Sequence, residues 1–260
     1  MIYPFAGKVA LVTGGTDGIG LAAAMGFAAS GARTFMVGRN VARGERALQQ
    51  VQSVAAAGAE AVFHSADMAD PKAIAGMVAA CLTRFGRLDF AVNNAAAEFP
   101  LVPMTEIPEE SVELSIAVDL RGTWHCMKHE IEAMLKSGGG AIVNVSSVNG
   151  FASSPNAAMY SATKYGMNGL SAAAAREYIG KGIRINTVCP GAIETPRRQR
   201  RLTGFTPEQV AKHYSDTAAK VPLGRVARAE EVAEGILWLC SDASSYVVGH
   251  HLVIDGGLSA

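Results

Sequence analysis

Apolar residues along this chain fall into two alternating rhythms. Short runs rich in Val, Ile and Phe recur as "KVALVTGG", "TFMVGR", "AVFHSAD", "LDFAVNNA", "GAIVNVSS", "IRINTVCPG" and "HLVIDGG". Their nearly continuous apolar character predicts strands buried on both faces, the state of a parallel sheet between two helix layers. Between the runs lie longer, alanine-rich stretches. These predict helices over "LAAAMGFAASGA", closed by Gly31, over 41–58, closed by Gly58, from Pro71 onward, over 108–136 and over 157–180. Pro71 suits a first helical turn, where the missing N–H has no intrahelical partner to lose. Each parallel crossover needs a helix, so the alternation predicts a doubly wound α/β fold, one parallel sheet with helices on both faces. No proline- or serine-rich linker divides residues 1–260 and there is no tandem repeat beyond the strand–helix rhythm, which predicts one domain. The least regular part is 190–225, a candidate mobile flap beside the substrate.

Composition narrows the function. Lys plus Arg and Asp plus Glu both number 23, so the formal net charge is zero. No global field recruits nucleic acid or an anionic membrane. No apolar run approaches the ~18 residues a membrane span needs. The opening "MIYPFAGKVALVTGG" lacks the basic-then-apolar layout of a signal peptide. Cys81, Cys126, Cys189 and Cys240 lie far apart in no metal or redox spacing, as expected of free thiols in a reducing compartment. A cytoplasmic protein is expected. His125 and His129 sit one helical turn apart without a third ligand, so no metal is expected.

Candidate chemistry begins in "VTGGTDGIG", between the first strand and the first helix. Gly14 would allow a tight turn, Gly18 would let the backbone approach a pyrophosphate, and Gly20 would let the helix pack closely on the sheet. Phosphates would then meet the free N–H groups and positive dipole end of that helix. The end of the second strand, "MVGRN", selects the cofactor. It carries no carboxylate for a ribose diol, and Arg39 could pair with a 2′-phosphate, which favours NADP(H) over NAD(H). Asp17 in the glycine loop pulls the other way, because it could repel that phosphate.

The stretch "MYSATKYG" places Tyr160 and Lys164 four apart, on one face of a helix. A free phenol, with a pKa near ~10, is a poor base at neutral pH. An adjacent ammonium favours the phenolate. Bringing the phenol to neutrality needs about 4 kcal/mol of preferential phenolate stabilisation, which a desolvated ammonium and a positive nicotinamide ring could supply. Ser147 ends the fifth strand, on the side of the sheet where ligands bind in open α/β folds, and could orient a substrate oxygen. Its neighbour Ser146 should face the other way.

With "TGGTDGIG", "NNA" at 93–95, Ser147, Tyr160, Lys164 and "PGAIETP" from Pro190 to Pro196, the chain resembles the short-chain dehydrogenase/reductase family from Lys8 to Gly257. The resemblance implies a Rossmann-type fold and hydride transfer between a nicotinamide and a carbon bearing hydroxyl or carbonyl. It implies Tyr160 as general acid–base, Ser147 as substrate-orienting group, and Lys164 as partner of both the phenol and the nicotinamide ribose. Asp17, Gly18 and Ile19 would bind cofactor in the glycine loop, Asp67 and Met68 the adenine, and Asn94 would sit near the cofactor at the fourth strand's end. Pro190 and Gly191 would line the cofactor site, with Ile193 and Thr195 on the carboxamide. Subunit contacts through two long helices, in a homotetramer or homodimer, follow from the same resemblance.

Two positions depart from the family pattern. "VDLRG" puts Asp119 where the family has an asparagine that helps hold a water linking the lysine to solvent. An ionised Asp119 accepts hydrogen bonds but donates none, and it could pair with Lys164. It is also readable as a plain polar helix residue. "NNAA" replaces "NNAG", so Ala96 adds a methyl.

On the substrate side, "RRQRR" from Arg197 to Arg201 reads either as a solvated face with inter-subunit salt bridges or as recognition of a carboxylate, a phosphate or an acidic carrier protein. The second reading expects Arg197→Ala or Arg198→Ala to raise KM for an anionic substrate alone. "EFPLVPMTEI" at 98–107 could line the site. The leading expectation is an NADP(H)-dependent oxidoreductase of secondary alcohols and ketones. The alternatives are a reductase of 3-oxoacyl groups on an acyl carrier protein and a non-catalytic dinucleotide-binding protein.

Overall fold

The computed structural model describes residues 2–260. Seven strands form one parallel sheet: β1 Val9–Thr13, β2 Arg33–Gly38, β3 Ala61–Ser65, β4 Phe90–Asn93, β5 Gly140–Val145, β6 Ile183–Pro190 and β7 His251–Ile254. Their order is β3-β2-β1-β4-β5-β6-β7. The chain therefore winds outward from β1 in one direction, then returns to its other side at β4. That reversal opens a crevice at the carboxyl ends of β1 and β4.

Alternation along β1 shows why the sheet is buried twice over. Ala10 and Val12 join one hydrophobic core, Val9 and Leu11 the other. The first core is completed by helices α1 Gly18–Ala29 and α2 Val41–Val54, with Phe27 and Val51 fully buried. The second is completed by α3 Pro71–Phe85, through Ile74, Met77 and Cys81. Pro71 opens α3 as expected, behind the Asp70 cap, which accepts from Lys72 N at 2.8 Å.

The long helix expected over 108–136 is not uniform. It runs as α4 Glu109–Ser115, widens into π-helical turns over Ile116–Gly122, and continues as α5 Thr123–Ser137. A Cβ on Gly122 would stand 2.6 Å from the Met68 carbonyl oxygen, so the widened stretch is pressed against the turn after β3. Asp119 lies inside it, fully buried. The helix expected over 157–180 is α6 Ala158–Tyr178.

The irregularity expected over 190–225 is corrected in part. Two helices lie there, α7 Pro196–Arg200 and α8 Pro207–Ala218, the second opened by a Thr206–Gln209 capping box. A further helix, α9 Ala229–Cys240, had no counterpart among the sequence expectations and packs with α1 on the first core.

One polar knot sits inside the second layer. Asn93 Nδ2 donates to Glu130 Oε2 and to Asn144 Oδ1, both at 2.9 Å, and Asn144 Nδ2 donates to Ser171 Oγ at 2.8 Å. Glu130 Oε1 and Asn93 Oδ1 are left without partners. A proton on Glu130 would supply the missing donor, and burial pushes its carboxyl up to about 7. Among the described residues, no helix is long and apolar enough to cross a membrane.

Candidate active site

A cavity of about 1030 Å³ opens at the carboxyl ends of the strands, and the expected residues converge on it. Its walls include Gly14, Asp17, Gly18, Ile19, Arg39, Asp67, Met68 and Asn94 at one end, and Ser147, Tyr160 and Lys164 at the other. Pro190, Gly191, Ile193 and Thr195 close it from above. Asp119 is not on the wall; it stands behind it.

The glycine loop has little room. A Cβ on Gly14 would fall 2.7 Å from Asn94 Nδ2, and one on Gly20 would collide with the Gly14 carbonyl. Gly20, in the first turn of α1, thus lets that helix approach the ends of β1 and β4 closely. Asn94 braces that loop, its amide donating to Thr13 O at 3.2 Å and Gly14 O at 3.1 Å. Asp17 is placed to cap α1 but makes no cap bond. Its Oδ2 instead takes Arg43 Nη1 at 3.1 Å and Arg200 Nη1 at 3.2 Å. The first turn of α1 is left with uncapped N–H groups facing the crevice, which suits a pyrophosphate.

At the outer end, Arg39 stands beside Asp67, 3.9 Å apart, and Asp67 Oδ1 accepts from Ala69 N at 2.9 Å. Met68 is buried, its sulfur 4.0 Å from Cys126 Sγ. Arg43 was not foreseen. Its signal was present, since it lies four residues after Arg39 at the opening of α2.

At the inner end, Tyr160 and Lys164 do share one face of α6, with Lys164 Nζ 5.6 Å from the phenol ring centroid. Lys164 is buried, and its ammonium donates to Val145 O at 2.9 Å. Ser147 Oγ accepts from Asn149 N at 3.1 Å, so its own proton remains to be donated. Ser146 Oγ is turned to Lys164 O at 3.4 Å, as the alternation along β5 requires.

Asp119 does not form an ion pair with Lys164. Its Oδ1 accepts from Ala97 N at 2.8 Å, while its Oδ2 is buried without a partner. Burial raises the Asp119 carboxyl above the ordinary carboxylate range, against the pull of Lys164 and of the Ala97 hydrogen bond. Arg197 donates to Ala97 O from the other side, so the Ala97 backbone is clamped from both sides. The clamp fixes Phe99, whose ring stacks on Tyr160 at 4.2 Å and 15°. Glu98, Phe99 and Leu101 line the cavity, in keeping with the expectation for that loop.

All four arginines of the run also line it. Arg200 pairs with Asp17 and with Glu98, the latter at 2.9 Å. Arg198 donates to Thr217 Oγ1 at 2.6 Å and lies 3.1 Å from His213 Nε2, so it ties α7 to α8.

A family model described as enoyl-(acyl carrier protein) reductase matches residues 14–259. A cis-4-hydroxycyclohexanecarboxylate dehydrogenase of Sinomonas cyclohexanicum is 40% identical over 256 residues, 98% of each chain. The chain belongs to the short-chain dehydrogenase/reductase family. A cyclohexanol dehydrogenase of Acinetobacter sp. (strain SE19) is 36% identical over 260 residues, covering 100% of this chain and 98% of that one. Among solved structures, levodione reductase superposes with a TM-score of 0.93 at 34% identity, over 97% of this chain and 98% of that one. As a member of the family, the chain is an oxidoreductase that acts on CH–OH groups with a nicotinamide dinucleotide.

Proposed function

We propose that this short-chain dehydrogenase/reductase interconverts an alicyclic secondary alcohol and its ketone, with NADP(H) favoured over NAD(H). The observation that carries the reading is the convergence of Ser147, Tyr160 and Lys164 on the cavity that also holds the glycine loop. When bound, the dinucleotide accepts or returns the hydride at the carbinol carbon. Tyr160 takes the hydroxyl proton as general base in oxidation and gives it back in reduction. Ser147 donates its free hydroxyl proton to the substrate oxygen. Lys164, fixed by Val145 O, places a cation where negative charge develops on the phenol.

Arg39 and Arg43 flank the adenosine end and support a 2′-phosphate partner. Asp17, the objection raised by the sequence, is matched by two guanidiniums. Four arginines at the mouth support a substrate with an anionic group. They face the cavity and are mostly engaged there, which weakens the carrier-protein alternative. Residues 190–225 fit the role of a flap over a single catalytic domain, since α7 and α8 roof the mouth. Exposed Leu114, Ile116 and Trp124 on the long helix and Tyr165 on α6 support a homodimer or homotetramer through those helices. Four buried free thiols support a reducing, cytoplasmic setting.

The test is turnover of cyclohexanol and cyclohexanone with each dinucleotide. Wild type should turn over, and Tyr160→Phe should lose about 10²–10⁴-fold in kcat. Equal rates in the two proteins would end the acid–base assignment. NADPH should bind more tightly than NADH, and Arg43→Ala should erase the difference. Tighter NADH would remove the NADP(H) part alone.

A further inference from the structure

Three arginines of the run have polar partners, although Arg197 Nε and Arg198 Nε are buried without a hydrogen bond. Arg200 serves Asp17 and Glu98, Arg198 serves Thr217 and His213, and Arg197 serves Ala97 O while standing 3.4 Å from Glu98. Arg201 differs. Among the described residues its guanidinium lies within ion-pair distance of no carboxylate and donates no hydrogen bond; it lies over the Phe99 ring, 4.4 Å from the centroid. Its side chain reaches solvent, yet the protein crowding it and then the Arg197 and Arg198 cations lower its pKa, against the pull of Glu98 and Tyr160. The Phe99 ring stacks in turn on Tyr160.

One aromatic ring therefore separates an unpaired guanidinium from the phenol. An anion held there and a carbinol held at Tyr160 must belong to one compact molecule. A long acyl chain with a distant charge does not fit that spacing. The wall of the cavity carries apolar side chains, Phe99, Leu101, Val148, Val221 and Leu258 among them, between its polar groups. A saturated ring suits such a wall, and a carboxylate suits the planar fork of arginine. One relative is named for a ring with a carboxylate and another for a ring without, so the relatives' names leave the choice to the site. We propose that the substrate is a hydroxy- or oxo-substituted alicyclic carboxylate whose ring passes the edge of Phe99 and whose carboxylate pairs with Arg201. The inference rests on the alcohol–ketone reading above and adds the second recognised group.

The experiment compares 4-hydroxycyclohexanecarboxylate, its methyl ester and cyclohexanol as substrates of the full chain with saturating dinucleotide. Wild type should prefer the carboxylate to its neutral ester by about 10-fold to 100-fold in kcat/KM, the scale of one charge-assisted contact. Arg201→Ala should raise KM for the carboxylate by a similar factor, leave kcat close to wild type, and leave cyclohexanol unchanged. Arg201→Lys should recover part of the loss, because it keeps the charge without the fork. Cyclohexanecarboxylate, which has no carbinol, should compete in wild type and not in Arg201→Ala. Turnover of cyclohexanol with no preference for the carboxylate, or an equal loss on all three substrates in Arg201→Ala, overturns the inference and leaves the alcohol–ketone reading standing. No turnover of any ring alcohol or ketone overturns both.

Discussion

Asp119 shows how one atom changes the meaning of a position. An asparagine there could donate and accept; the carboxylate only accepts, and it accepts from Ala97 N. That bond ties down the loop that carries Phe99, whose ring stacks on Tyr160. Asp119→Asn keeps an acceptor for Ala97 N and should leave kcat/KM within a few-fold at neutral pH. Asp119→Ala leaves a buried N–H unpaired, an expense of about 1–3 kcal/mol that should appear as lost stability and at least 10-fold lower kcat/KM. The pH profile separates positioning from mere structure. Because burial raises this carboxyl, protonation reaches it early as pH falls, so the acid limb in wild type should flatten in Asp119→Asn. A limb identical in both proteins would assign it to another group. At this scale the sequence exposed Ser147, Tyr160, Lys164 and the departure at 119, since residue type and spacing carry them. It did not expose the Ala97 backbone, because every residue but proline offers the same N–H and C=O.

Elements were legible where burial imposes a period. All seven strands and most helices packed on them were readable, because each contributes a regular apolar face to one of the two cores; α9 was missed although it buries Val232, Ile236 and Leu237 in the first. α8 buries no residue fully, so it carries no such stripe, and only its cap and Pro207 marked it. The π-helical stretch was invisible. No side-chain pattern encodes it; the Met68 carbonyl pressing on Gly122 accompanies it. Between elements, a line of alternating charges joins α2, the glycine loop, α7 and the loop after β4: Arg43, Asp17, Arg200, Glu98, Arg197. Its pairs are largely exposed, worth about 0.2–1 kcal/mol each. Asp17→Asn should release Arg43 and Arg200 together. NADP(H) binding should then tighten by about 1.4- to 5-fold, the equivalent of one such pair. Weaker binding would show that Asp17 itself contacts the cofactor favourably.

For the whole molecule, the Glu130–Asn93–Asn144–Ser171 knot joins α5, β4, β5 and α6, the last carrying Tyr160. The Glu130 carboxyl is raised to about 7 in the fold, against an ordinary value of 4.5. The folded state therefore holds a proton that the unfolded chain has given up. Its contribution to stability is full below about 4.5, declines as pH rises to about 7 and is then lost, on the order of 3 kcal/mol at 1.36 kcal/mol per pH unit. His125, His213 and His251, each lowered chiefly by burial, act in the opposite sense across part of that window. The difference between wild type and Glu130→Gln isolates the carboxyl. The variant should gain on wild type, in denaturant midpoint, steadily from pH 5 to pH 7.5; a constant gap would place Glu130 outside the titration. The two orphan oxygens of that pair thus turn the interior into an acid store. Near neutrality, melting this site ejects a hydrogen ion that each histidine site would instead capture. Calorimetry in buffers of unlike ionisation heat would read the balance directly.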